Sequence, residues 1–234
     1  MSRDAICSEG AAGKGPRNST GALWEIAFAP GSVRNLAGVM VVVVERADLA
    51  DACAAWQGGR GGGSSPIRAA ARNLTGVKHY FASDFITRYE DQARGDIVTT
   101  RRAAVLLDEL ERCQLRDAAE WGRVLGVDSE WVGRGIVSGP QDDQILAALQ
   151  TGTISMPLWG ASLDRRVAEM YGSRFVFVLE GPFAAVPAWV HSRIKPEEQE
   201  LICSGRYSVV GLADVAEDRT LVRLAFESTV PRIS

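Results

Sequence analysis

The hydrophobic positions of the chain change rhythm several times, and each rhythm predicts an element. From Ala103 through Leu107, Leu110, Gln114, Ala118 and Trp121 to Leu125, one face recurs every three or four residues. That spacing predicts a long helix over about 100–125, with Gly126 as its stop. Shorter helical patterns occur in "ADLADACAAWQ" (47–57), "IRAAARNLTG" (67–76), "HYFASDFITRYEDQARG" (79–95), "DDQILAALQTG" (142–152) and "LDRRVAEMYG" (163–172). Strand texture marks "ALWEIAFAP" (22–30), "GVMVVVVER" (38–46), "EWVGRGIV" (130–137) and "ISMPLWGAS" (154–162). It returns in "RFVFVLEG" (174–181), "AAVPAWVH" (184–191), "EQELICSGRYSVVGL" (198–212) and "RTLVRLAFE" (219–227). The strands cluster toward the end without a βαβ rhythm, so the order predicts an α+β fold rather than a doubly wound sheet.

The strongest break is "GGRGGGSSP" (58–66), a glycine-rich stretch stopped by proline, and it predicts a linker or long loop. It divides an amino-terminal module (1–57), whose first 20 or so residues read as a polar, weakly ordered lead, from a larger domain (67–234). That domain has a helical lead to about 127 and a strand-rich core over 128–234.

Composition narrows the chemistry mainly by exclusion. Twenty-six Lys and Arg against 29 Asp and Glu leave a formal charge of −3, so no global basic field points to nucleic acid or an anionic membrane. Cys7, Cys53, Cys113 and Cys203 are scattered without a C-x-x-C, which argues for reduced thiols and against zinc. Two histidines, His79 and His191, exclude a histidine-rich metal site. The first residues lack the apolar core of a secretory signal, and the run Val39 to Val44 is far too short to span a bilayer. Lys14 follows no Walker spacing, the 58–66 glycines do not form G-x-G-x-x-G, and no G-x-S-x-G elbow is present.

One pattern resists this reduction. In "KPEEQELICSGRYSVV" (195–210), Glu198 and Glu200 are one residue apart at the head of a strand pattern. If the strand begins at Glu198, both carboxylates share one face and repel. An isolated pair of this kind is most simply a solvated acidic strand end.

Two further stretches change that reading. "WVGRGIV" presents Arg134 followed by Gly135, and "LQTGTISMPLWGASLDRRVAEMYG" contains a glycine turn at Gly152, an aromatic Trp159, Ser162, and the pair Val167-Ala168 in a following helix. In this order, and followed by Glu198-x-Glu200, the three stretches resemble the arginine-serine-glutamate class of mono-ADP-ribosyltransferases, the group of the clostridial binary-toxin enzymatic components and related bacterial and phage enzymes. The resemblance covers about the last hundred residues, extends to the long helix, and leaves out the first sixty or so. It departs from the family where Gly160-Ala161-Ser162 stands in place of Ser-Thr-Ser, since the first serine of that triplet commonly orients the catalytic glutamate.

The resemblance implies two packed, roughly perpendicular antiparallel or mixed β-sheets with flanking helices. It implies NAD as substrate without a metal, bound by Arg134, Gly135, Ser162 and Trp159. Glu200 would stabilise the oxocarbenium-like ribose cation as the catalytic residue, and Glu198 would orient the acceptor, with Trp189 as an aromatic contact to it. The acceptor implied is a protein arginine in a host cytoplasm, reached by phage or specialised secretion. An NAD glycohydrolase of the same fold and an inactive interaction or virion-associated protein are the alternatives. The repulsion between Glu198 and Glu200 would be relieved when cationic substrates arrive.

Overall fold

The computed structural model describes residues 34–36, 39–41, 46–58, 64–77, 93–139, 141–172, 174–216 and 219–233. The expected strand at 22–30, the polar lead, nearly all of the helix expected at 79–95 and Gly59–Gly63 of the glycine-rich segment lie outside these residues. Two short strands, β1 (Arg34–Leu36) and β2 (Val39–Val41), pair antiparallel ahead of the helices.

Helices follow among the described residues. They are α1 (Ala47–Gly58), α2 (Ser65–Thr75), α3 (Ile97–Arg112) and α4 (Ala118–Leu125). Pro66 sits in the first turn of α2, where its missing N–H has no helical partner to lose, and Gly76 ends the helix in the left-handed region at φ 67°. Ser65 and Pro66, expected in the linker, thus open a helix. The single helix expected over 100–125 is two helices. Cys113 leaves α3 with extended backbone, and Arg116 exchanges backbone hydrogen bonds with Phe183 in an isolated bridge. Asp117 then restarts the chain with a capping box, accepting from the Glu120 N–H while the Glu120 carboxylate accepts from the Asp117 N–H. The expected stop at Gly126 is present, at φ 68°.

The remaining elements are β3 (Gly133–Ile136), α5 (Asp142–Gln150), β4 (Thr153–Ser162), α6 (Arg165–Tyr171), β5 (Phe175–Glu180), β6 (Ala185–Pro187), α7 (Ala188–Ser192), a 3-10 turn (Pro196–Glu198), β7 (Glu200–Ala216) and β8 (Arg219–Ser228). The fold is α+β, as the element order predicts. The sheet corrects the expectation of two packed, perpendicular sheets: β4-β3-β5-β8-β7-β6 form one six-stranded mixed sheet, and β4 also pairs with β7. The reason is the 17-residue length of β7. Its first half lies between β4 and β6, its second half pairs with β8, and one continuous strand thereby joins the two halves of the sheet. Among these pairings only β5–β8 is parallel.

Alternation along the strands sends apolar side chains to two cores. Trp159, Phe175, Phe177, Tyr207, Val222 and Leu224 belong to one. Leu158, Val186 and Ile202 face the other, which they share with Leu49, Trp56 and Leu106 of the helices. Helix α1 packs mainly on α7 and α3. The boundary expected at 57/58 therefore falls between helices that share one core. Cys53, Cys113 and Cys203 are free thiols. Among the described residues no helix is long and apolar enough to cross a membrane, and no cluster of His, Cys, Asp or Glu could hold a metal ion.

Candidate active site

Antiparallel register brings the three separated stretches together. Ser162 pairs with Glu200 across β4 and β7, and also with Gly133 across β4 and β3. Arg134 Nη1 donates to the Gly160 carbonyl at 2.8 Å. Arg134, Gly135, Ser162, Glu198 and Glu200 line one cavity of about 360 Å3, within the ~300–1,000 Å3 range of small-molecule sites. Arg68, Gln141, Gly160, Tyr171 and Lys195 complete much of its wall.

Glu200 is the first residue of β7 and is half-buried. Trp56 Nε1 donates to its Oε1 at 2.9 Å, and Gln57 Nε2 makes a longer contact with Oε2 at 3.4 Å. Burial pushes its carboxyl above the usual 4.5, while the Trp56 hydrogen bond and then the Arg134 and Arg68 charges pull it back; Glu198 adds to the upward push. Burial draws the Arg134 guanidinium below its ordinary value, opposed by Glu200 and Tyr171. It draws Arg68 well below, with Arg134 adding to the effect and Glu200 opposing it. A guanidinium stays protonated in proteins, so these directions express above all the cost of burying two positive charges, which Glu200 offsets in part.

Glu198 and Glu200 do not share a strand face. Glu198 ends the 3-10 turn, and Gln199 follows in the left-handed region at φ 44° before β7 begins. Their counter-charges are also internal rather than supplied by substrates: Lys195 Nζ meets Glu198 Oε1 at 2.9 Å, and Glu200 faces Arg134 and Arg68. Ser162 connects the turn to the sheet. Its Oγ donates to the Glu198 carbonyl at 2.7 Å and accepts from the Asp164 N–H at 2.9 Å. Two residues on, Asp164 is the N-cap of α6, and its carboxylate accepts from the Arg166 N–H.

Gly135 lines the cavity and has a packing role that its type alone does not reveal. A Cβ there would lie 1.9 Å from the Ala168 carbonyl and 2.2 Å from the Gly172 nitrogen, so its absence lets α6 press on β3. The two tryptophans expected at the site are elsewhere. Trp159 is fully buried on the other face of β4 from Gly160 and Ser162, donating through Nε1 to Tyr207 Oη at 3.1 Å. Trp189 is half-buried against that same core and does not line the cavity.

Four residues of the site carry no signal that local pattern reading picks up. Arg68 is 8 % exposed on α2, stacks its guanidinium 5.3 Å from the Trp56 ring centroid, and its buried Nε has no acceptor among the described residues. The available clue is an arginine standing among Ile67, Ala69, Ala70 and Ala71, all of them buried. Gln141, also 8 % exposed, donates from Nε2 to the Val137 carbonyl at 2.8 Å and presents a buried Oε1 without a donor among the described residues. Trp56 and Gln57 are the other two.

No protein-family model matches the sequence, and no curated protein matches it. Among solved structures, the chain is similar to the ADP-ribosyltransferase Vis of Vibrio splendidus, crystallised with an inhibitor, at 13% identity and TM-score 0.47, over 78% of this chain and 74% of that one. Exoenzyme S of Pseudomonas aeruginosa, crystallised with human 14-3-3 protein beta and bound to carba-NAD, gives 15% identity and TM-score 0.44 over 77% of this chain and 82% of that one. The C-terminal toxin domain of RHS2 from Yersinia entomophaga gives 12% identity and TM-score 0.44, over 75% of this chain and 98% of that one.

Proposed function

We propose that this protein cleaves NAD at the bond between nicotinamide and ribose and transfers the ADP-ribose to an arginine side chain of a protein acceptor. The observation that carries the reading is convergence. Arg134, Ser162, Glu198 and Glu200, the polar residues on which the family resemblance rests, meet at one cavity although they come from three distant stretches.

The cavity suits the proposed substrate. Arg68 and Arg134 supply planar, permanent positive charge for a pyrophosphate. The Arg68 Nε donor and the Gln141 Oε1 acceptor are buried polar atoms that a polar ligand would satisfy. Glu200 offers its carboxylate to a ribose carbon that becomes positive as the bond to nicotinamide breaks, where electrostatic stabilisation lowers the barrier most. Glu198, nearer solvent, accepts a proton from the attacking guanidine nitrogen as the new carbon–nitrogen bond forms. The Lys195–Glu198 ion pair favours a second reading, in which that carboxylate stays occupied and water attacks, giving an NAD glycohydrolase.

The test is incubation of wild type and Glu200→Gln with labelled NAD, with and without a cell lysate. The expected outcome is nicotinamide release and labelled protein from wild type, with turnover down by about 10²–10³-fold in the variant, the scale of losing one charge-stabilising group. Nicotinamide release without labelling selects the hydrolase. Near-normal turnover in Glu200→Gln removes the assignment of Glu200.

A further inference from the structure

Helix α1 ends against the candidate site. Trp56 is 2 % exposed and Gln57 5 % exposed, so both side chains lie in the protein interior beside Glu200. The indole N–H reaches Glu200 Oε1 at 2.9 Å, and the Gln57 amide nitrogen lies 3.4 Å from Oε2. The amide orientation is itself set by α7. Ser192 Oγ accepts from the Ile194 N–H and donates to Gln57 Oε1 at 2.5 Å, which leaves the Gln57 nitrogen for the carboxylate. The same indole ring carries the Arg68 guanidinium on its face. On the β4 side nothing from position 160 competes, because a Cβ there would fall 2.2 Å from Glu200 Oε1.

We infer that Trp56, with Gln57 behind it, is the positioning residue of this site, fixing the Glu200 carboxylate and the Arg68 guanidinium relative to each other from opposite parts of one indole. The catalytic consequence rests on the function proposed above; the positioning itself does not. Other charged or titratable groups facing Glu200 are Cys53 on α1, Arg68 on α2, Arg134 on β3, Lys195 and Glu198 around the turn, and Cys203 on its own strand. Of the two α1 side chains that contact it, Trp56 donates the shorter hydrogen bond, and that bond favours the ionised carboxylate.

Trp56→Phe keeps a ring for Arg68 and removes the donor, together with part of the buried indole. Carbon-13 NMR of the Glu200 carboxyl, assigned with Glu200→Gln, reads its titration whether or not NAD is turned over. The midpoint is expected to move up in Trp56→Phe. With NAD, kcat is expected to fall about 10- to 100-fold, the scale of one hydrogen bond to a charged group, with KM nearly unchanged and the acid limb of the pH profile displaced upward. A folded Trp56→Phe protein with an unmoved Glu200 titration overturns the inference. A moved titration without any NAD cleavage by wild type sustains the positioning and removes the proposed function instead. Should Trp56→Phe not fold, the Trp56 indole N–H resonance serves. It is expected to follow the Glu200 titration in wild type and to lose that pH dependence in Glu200→Gln; an identical pH profile in both overturns the inference.

Discussion

A Cβ at position 160 would lie 2.2 Å from Glu200 Oε1 and 3.3 Å from Arg134 Nη1. The clashing atom is the end of a flexible side chain, so Gly160→Ser is expected to fold with a melting temperature close to wild type. The displaced carboxylate leaves Trp56, and nicotinamide release is expected to fall at least tenfold; unchanged turnover would show that Glu200 has slack. Glu198→Gln removes a half-exposed ion pair worth little to stability. It is expected to reduce labelling of an arginine acceptor more than nicotinamide release, and equal losses would argue against separate roles for the two carboxylates. At this scale the sequence is uneven evidence. Arg134, Ser162, Glu198 and Glu200 were legible because their types and spacing carry the family pattern. Trp159 was misplaced at the site by the resemblance, although strand parity puts 159 and 160 on opposite faces. Trp56 and Gln57 were not legible, because their partner is 144 and 143 residues away and no local pattern encodes it.

At the level of elements, the packing of α6 on β3 depends on Gly135. The atoms that a Cβ would meet are backbone, the Ala168 carbonyl and Gly172 nitrogen, and they cannot rotate aside. Gly135→Ala is expected to cost about 1–3 kcal/mol, the range for overpacking, and to lower the melting temperature by several degrees. Calorimetry checks this, and a wild-type transition would mean that α6 can ride outward freely. Strands β3, β4, β5 and β8 and helices α2, α5 and α6 follow the sequence pattern closely. The long helix did not, since its spacing continues through Gln114 to Leu125 while the Arg116–Phe183 bridge and the Asp117 cap interrupt the backbone. The head of β7 differed for a similar reason. Three successive residues in a 3-10 turn and a left-handed Gln199 reset the alternation that the E-x-E spacing would otherwise impose.

Across the whole molecule, His191 connects folding to pH. Burial, with the charge of Arg46 adding, lowers it from the usual 6.5 to about 4. The unfolded chain binds that proton near 6.5 and the folded one resists it until about 4, so the stability His191 contributes is full above 6.5 and is lost as the pH falls toward 4. Glu200, shifted upward, acts in the opposite direction as its carboxyl protonates. The melting temperature of wild type is expected to drop between those two pH values, and His191→Gln to flatten that part of the profile; parallel profiles would assign the loss to other groups. The α+β class was readable from the order of elements, whereas the single sheet was not, because local alternation marks strands without saying which of them pair across the chain. The Trp56–Glu200 contact carries a consequence for biosynthesis. At about 5–20 residues per second, the helix bearing Trp56 is made several seconds or more before the strand bearing Glu200. A nascent chain thus holds its two arginines and its indole before the carboxylate they surround is made, and the cavity is complete only once β7 has joined the sheet.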